Sequence, residues 1–362
     1  MVSTAADGTD VRWLGSLGTV ASLKYAYTLP GGASSMSCLL RTGQNSRPAA
    51  LNPGRAIKIY RGSCAWTGKL AEPQQSDGEW AISAVGTGAL GANYVSHYTT
   101  WNADNPVNLA IGRGLPWINP GLAGTPGLWL AQQEDDASQT ITDFLNLLCT
   151  NGALTWYVDR AGVLRIIPIP AVPTRLLVCT TPVSRTITAD INSLWVRYQL
   201  TADSTSGSSS AAATYGVTTA TNPAAIAAHG TMEAYQDLSS AGIIGATAAQ
   251  QAASSALAAY QRATYAGPFT IRQGQLLTLG GSPVDIGAER GIPGVCQLLL
   301  TDSGLGGEVV AGPVFFPVGQ YEYDDTAQTA AITPLQSIAS DMSSLLAAMF
   351  PATPTSTATT GG

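Results

Sequence analysis

Short runs that alternate apolar and polar side chains, each closed by glycine or proline, dominate the first 86 residues and restrict them to β structure. Val20–Leu29 alternates around Lys24, Tyr25 and Tyr27, and Pro30-Gly31-Gly32 supplies a turn before Met36–Arg41 runs out again. Asn52-Pro53-Gly54 is a second turn. Arg55–Tyr60 then sets Ile57 and Ile59 against Ala56 and Lys58, and Arg61-Gly62-Ser63 turns the chain into Cys64–Leu70, a hairpin. Glu79–Val85 is another alternating run, closed by Gly86 and Gly88. Strands this short at this spacing predict a small barrel or sandwich.

Beyond residue 88 the pattern changes twice. Residues 89–127 read as a loop-rich stretch with Trp101 and Trp117. A helix follows, in which Ile141, Phe144, Leu145, Leu148 and Cys149 share one face, with Ser138 as its expected cap and Gly152 as its stop. Leu154–Val158, the turn Asp159–Gly162 and Val163–Ile167 read as a hairpin, and prolines 168, 170 and 173 mark the exit. Leu194, Val196 and Tyr198 alternate against Trp195, Arg197 and Gln199 in a strand expected to return to the first barrel. Residues 203–224 read as an exposed, mobile low-complexity loop, and 247–264 as an alanine-rich helix that packs closely on a neighbour. Phe269–Leu279, Pro283–Ile286, Val295–Thr301 and Phe315–Tyr323 form a second set of strands.

The expected fold class is mainly β (α+β), with an inserted α+β domain and a C-terminal helix; of barrel and sandwich, two small β-barrels are what the family resemblance given below implies. Residues 1–86 plus 184–200 make the first barrel, 87–183 the insertion, and 201–265 the mobile loop and alanine-rich helix. Residues 266–333 make the second barrel, 334–350 the helix and 351–362 a disordered tail. In that helix Leu335, Ile338, Met342, Leu345 and Met349 fall 3, 4, 3 and 4 apart, a heptad seam. Such a seam suits a short coiled coil or an amphipathic helix packed on its own domain.

Charge excludes several functions. Only 11% of residues are charged, the net charge is −6, and the 17 basic residues are scattered singly rather than in the stripe a double-helix binder needs. No apolar run approaches the ~18 residues of a membrane span, and the first residues lack the pattern of a secretory signal. The five cysteines form no CxxC pair, which disfavours zinc and disulfides alike and favours reduced thiols in a protein folded in a cytoplasm. His97 and His229 sit in no metal-binding spacing, and no P-loop, G-x-S-x-G or dinucleotide fingerprint is present, so no cofactor, metal or catalytic residue is expected. Glu134-Asp135-Asp136 and Asp324-Asp325 are the candidate carboxylates for glycosidase chemistry. The first cluster is equally explained by a helix N-terminus and the second by a turn. The eight tryptophans and thirteen tyrosines are dispersed singly, as core and interface residues are.

Five passages, in order, resemble the central hub protein of a bacteriophage tail tip, known in many actinobacterial phages as a minor tail protein. They are LNPGRAIKIYRGSCAWTGKLAEP with GEWAISAVGTG, SQTITDFLNLLCTNGALTWYVDRAGVLRIIPIP with its W-x-V-D-x-x-G-x-L hairpin, DINSLWVRYQ, HGTMEAYQDLSSAG with the helix and PFTIRQGQLL behind it, and VGQYEYDDTAQTAAITP. His229-Gly230-Thr231 departs from the family's Tyr-Gly-Arg. The resemblance implies two barrels per chain and a homotrimeric ring whose six barrels imitate sixfold symmetry. Such a ring joins a hexameric distal tail protein ring to a threefold tip and lines the DNA exit channel. It further implies the tape measure protein and other tail-tip or fibre proteins as partners, phage DNA only in transit, and a virion location after assembly in the bacterial host cytoplasm. The heptad seam would then lie at the threefold axis. Two other readings compete: a hexameric distal tail protein, against which the second barrel and the length argue, and a host-envelope carbohydrate-binding module.

Overall fold

A computed structural model describes residues 1–335 apart from 6–7, 9, 44–45, 97–103, 123–138, 152–153, 180–184, 187–190, 202–203, 207–208, 240–244, 261–263, 266 and 301–313. The chain opens with β1 (Val2–Thr4), β2 (Val11–Trp13), the long pair β3 (Thr19–Thr28) and β4 (Gly32–Arg41), β5 (Ala56–Arg61), β6 (Ser63–Leu70), β7 (Gln74–Ser76) and β8 (Glu79–Gly86). Helices α1 (Asn105–Gly112) and α2 (Ile141–Asn151) precede the hairpin of β9 (Leu154–Val158) and β10 (Leu164–Pro168), then β11 (Arg175–Cys179) and β12 (Arg185–Thr186). Next come β13 (Ser193–Thr201), β14 (Ser204–Ser206), β15 (Ser209–Ala211), β16 (Thr214–Thr221), α3 (Pro223–His229), β17 (Glu233–Asp237) and α4 (Ala246–Tyr260). The last strands are β18 (Thr264–Tyr265), β19 (Phe269–Arg272), β20 (Leu276–Thr278), β21 (Val295–Leu300), β22 (Val314–Asp324) and β23 (Thr329–Pro334).

The chain is mainly β, as its patterning predicts. The strand partners, however, differ from those expected. One 14-stranded sheet runs β2-β1-β5-β6-β8-β4-β3-β22-β21-β11-β20, with β7 beside β8, β23 beside β22 and β19 beside β23. The two strand-rich ends thus share a sheet, joined where β3 pairs antiparallel with β22 in the registers Tyr27↔Tyr321 and Tyr25↔Tyr323. They also share one core, in which Tyr25, Tyr27, Trp66, Phe316, Tyr321 and Ile332 are all buried. Tyr25, Ala26 and Tyr27 are buried consecutively, so strict alternation fails there because both faces of the strand are covered.

A second core belongs to α1, α2 and the β9–β10 hairpin. Ile141, Phe144, Leu145, Leu148 and Cys149 are all buried, as their spacing predicts, against Trp117, Trp156, Val158 and Leu164. Each such side chain contributes about 1.5–3 kcal/mol by leaving water. The cap is Thr140 rather than Ser138, which lies outside the described residues. The Thr140 hydroxyl accepts from the Asp143 amide at 3.2 Å while the Asp143 carboxylate accepts from the Thr140 amide at 3.0 Å, a reciprocal capping box. Helix α1 corrects the loop reading of 89–127; Pro106 occupies its first turn, where a missing N–H costs nothing.

The third core lies between α4 and the sheet β16-β13-β17. Strand β13 alternates as expected, with Leu194, Val196 and Tyr198 buried, but its partners are β16 and β17 rather than strands of the first 86 residues. Part of the segment read as a mobile loop is strand β16, whose β-branched threonines and Val217 pair along nearly the whole of β13. Likewise β11, expected inside the insertion, lies in the main sheet, parallel to β21. Pro283–Ile286 is no strand; Pro283 makes a single bridge to Leu277.

Candidate assembly surfaces

The three-stranded sheet buries one face under α4, where Ala249 and Ala253 allow the helix to approach closely. Its other face is open. Register places Trp195 of β13 between Thr219 of β16 and Tyr235 of β17, and Arg197 between Val217 and Asp237. Trp195, Val217 and Tyr235 are 42%, 58% and 62% exposed. Polar contacts hold the aromatic groups in place: the indole N–H of Trp195 donates to Glu233 Oε1 at 3.1 Å, and the Tyr235 hydroxyl donates to Asp237 at 3.4 Å. Arg197 lies 3.9 Å over the Tyr215 ring and 3.3 Å from Asp237. Burial pulls the Asp237 carboxyl pKa upward, but the hydroxyl and amide of Ser239 and the Arg197 charge outweigh it and hold that pKa below its ordinary value.

A second exposed aromatic face lies at the β2 edge of the main sheet. Val2 of β1 pairs with Trp13 on one side and Lys58 on the other, so the three share one face. Trp13 and Tyr60 are 59% and 46% exposed, with ring centroids 6.5 Å apart. Large exposed apolar groups gathered on one face mark contact surfaces far more often than single ones do. Sequence reading missed both faces because their aromatic residues come from separate strands; the Trp195/Arg197/Gln199 alternation is the one local signal.

The residues singled out by sequence divide as follows. Leu335 is half-buried directly after β23, and Ile338, Met342, Leu345 and Met349 lie outside the described residues, as do Glu134, Asp135, Asp136 and His97. Asp324 pairs with Lys24 at 2.9 Å and accepts from the amides of Thr326 and Ala327; Asp325 pairs with Arg61 at 2.6 Å. Both are tied into the turn between β22 and β23 rather than aimed at a cleft. Among the described residues no three His, Cys, Asp or Glu side chains gather as a metal site. Cys38, Cys149 and Cys296 are buried free thiols whose pKa burial pushes up to about 12, which makes them inert.

A cavity of about 170 Å³ is lined by residues including Arg175, Glu289, Leu276 and Tyr321. Its charged groups satisfy each other: Arg175 donates to Glu289 Oε2 from Nε at 3.1 Å and from Nη2 at 2.8 Å.

No family model and no curated relative matches the chain. Solved structures do. Prophage tail protein gp18 from Listeria monocytogenes EGD-e superposes with a TM-score of 0.59 at 10% identity, covering 95% of this chain and 98% of that one. The prophage MuSo2 43 kDa tail protein from Shewanella oneidensis gives 0.55 at 13% identity, covering 93% and 98%. A tail protein from Neisseria meningitidis MC58 gives 0.52 at 11% identity, covering 91% and 94%. Over nearly its whole length, the chain has the fold of these phage tail proteins.

Proposed function

We propose that the chain is a structural, non-catalytic protein of a phage tail, acting as the trimeric hub of the tail tip between the hexameric distal tail ring and the threefold tip. The observation that carries this reading is the end-to-end likeness to three phage tail proteins, which spans all three cores rather than one of them. The two exposed aromatic sheet faces support it, since a ring component needs surfaces of that kind. The distal tail ring, the tape measure protein and other tail-tip or fibre proteins are its partners in this reading, with DNA passing through the channel and the virion tail as location.

Light scattering on the purified chain, with negative-stain images of the same sample, tests it. A ring of three chains is the expected result. A ring of six moves the chain to the distal tail class, and a monomer at every concentration overturns the ring. Truncation before Pro334 is expected to weaken the trimer, and an unchanged trimer removes the Leu335, Ile338, Met342, Leu345 and Met349 seam from the proposal.

One observation favours a second reading, a host-envelope carbohydrate-binding module. Trp195 and Tyr235 stand side by side on an open face beside Glu233, Asp237 and Gln199, flat rings next to hydrogen-bonding groups. Binding on a glycan array that Trp195→Ala abolishes is the outcome expected from that reading; an array without binding removes it.

A further inference from the structure

A ring of identical chains needs two different, mutually complementary surfaces on each chain, one for each neighbour. Resting on the ring reading above, we propose that the Trp13–Tyr60–Lys58 face of one chain docks on the Trp195–Tyr235–Glu233 face of a second copy.

Charge and pattern argue for this pairing. On the first face, the outward positions that pair across β1, β2, β5 and β6 include Lys58 and Lys69 and no carboxylate. Lys69 reaches the Gly114 carbonyl at 3.2 Å, while Lys58 is exposed and has no ion-pair partner among the described residues. On the second face, Asp237 and Arg197 neutralise each other, which leaves Glu233 as the uncompensated charge. Glu233 accepts only the Trp195 indole N–H among the described contacts. Among the described residues, the first face therefore presents a tryptophan, a tyrosine and two lysines without ion pairs, the second a tryptophan, a tyrosine and one carboxylate without one, and these charges are opposite.

A twofold contact of either face with itself would bring together two surfaces whose spare charge has the same sign, positive at the Lys58 face and negative at the Glu233 face. Like charges directly opposed cost several kcal/mol, so the heterologous contact is preferred, and heterologous contacts are the ones that close rings of three or more. Interfaces of this type bury aromatic anchors at the centre and set register with charge pairs.

Charge exchange in the full-length chain tests the pairing. Lys58→Glu and Glu233→Lys singly are each expected to weaken the ring about tenfold or more, and the double variant K58E/E233K is expected to recover most of that loss. Both side chains are at the surface, so circular dichroism and thermal midpoints should match the wild type and separate assembly from folding. A carbodiimide cross-link from Lys58 of one chain to Glu233 of another, read in rings mixed from light and heavy-isotope chains, is the direct positive. A wild-type ring with both single variants within about twofold of it, or a double variant no better than the singles, overturns the interface and leaves the ring standing. A wild-type chain that stays monomeric overturns the ring and, with it, the interface.

Discussion

Arg61 and Asp325 lie 264 positions apart in the chain, yet Arg61 Nη1 donates to Asp325 Oδ1 at 2.6 Å. The pair links the end of β5 to the turn after β22, so it spans the seam between the two strand-rich ends of the protein. The same guanidinium sits 5.0 Å over the Tyr323 ring and 3.5 Å from Asp285. Arg61→Ala removes all three contacts. Partial exposure of the pair keeps the expected loss to about 1 kcal/mol, with Asp325→Asn costing less because the ring contact survives. Urea unfolding at constant m-value measures both.

Gly32 holds the second core against the main sheet. Its φ is +111°, and a Cβ there would stand 2.9 Å from the Val158 carbonyl oxygen. Beside it, the Gly31 amide donates to the Trp156 carbonyl and the Val158 amide to the Gly31 carbonyl, each at 3.0 Å. Gly32→Ala should lower stability by about 2–3 kcal/mol, through backbone strain and contact with β9 together. Hydrogen exchange at the Val158 amide should accelerate in parallel. Gly112→Ala, with nothing within 4 Å of the new methyl, is the neutral control.

Ala253 is fully buried between α4 and the β16-β13-β17 sheet. Ala253→Leu must push the helix off the sheet, at an expected cost of about 1–3 kcal/mol. Ser254→Ala, on the exposed side of the same helix, should change stability by less than about 0.5 kcal/mol. Thermal unfolding followed by helix signal distinguishes the two.

Glu289 sets a pH dependence. Burial pushes its pKa upward, but the Arg175 hydrogen bonds and charge and the amides of Gly291 and Arg290 outweigh it, so the folded pKa lies below the ordinary 4.5. A carboxyl depressed in this way stabilises the fold above its unfolded pKa, and that contribution is lost as pH falls through the folded value. Between neutral pH and about pH 3 the wild type should therefore lose more stability than Glu289→Gln, measured as the shift in urea midpoint. Equal shifts in the two proteins would remove Glu289 as the cause.

Local order was legible in the sequence wherever one element made its own decision. The Ile141–Cys149 face, the Asp159–Gly162 turn and the Leu194/Val196/Tyr198 alternation need only helix or strand period and a side chain that can close a turn. The Asp159 carboxylate closes that turn itself, accepting from the amides of Ala161 and Val163 at 2.8 and 3.0 Å. Strand β16 was not legible, because its serine- and threonine-rich surroundings look like linker until β13 offers a partner.

Period and turn chemistry in the sequence alone determined that this chain is mainly β, where the strands of its first 86 residues, the Ile141–Cys149 helix and the hairpin after it fall, and which face of that helix and of β13 is apolar. Only the tertiary structure decided which strands meet. An alternating strand exposes the same unpaired N–H and C=O groups to any partner, so nothing local chooses Tyr27↔Tyr321 over a nearer pairing. The choice is made by burying the largest continuous core, which draws the two ends of the chain into one sheet and leaves β13 to a sheet of its own. The same choice gathers Trp195, Tyr235 and Glu233 on one open face, and Trp13, Tyr60 and Lys58 on another, from residues far apart in the chain.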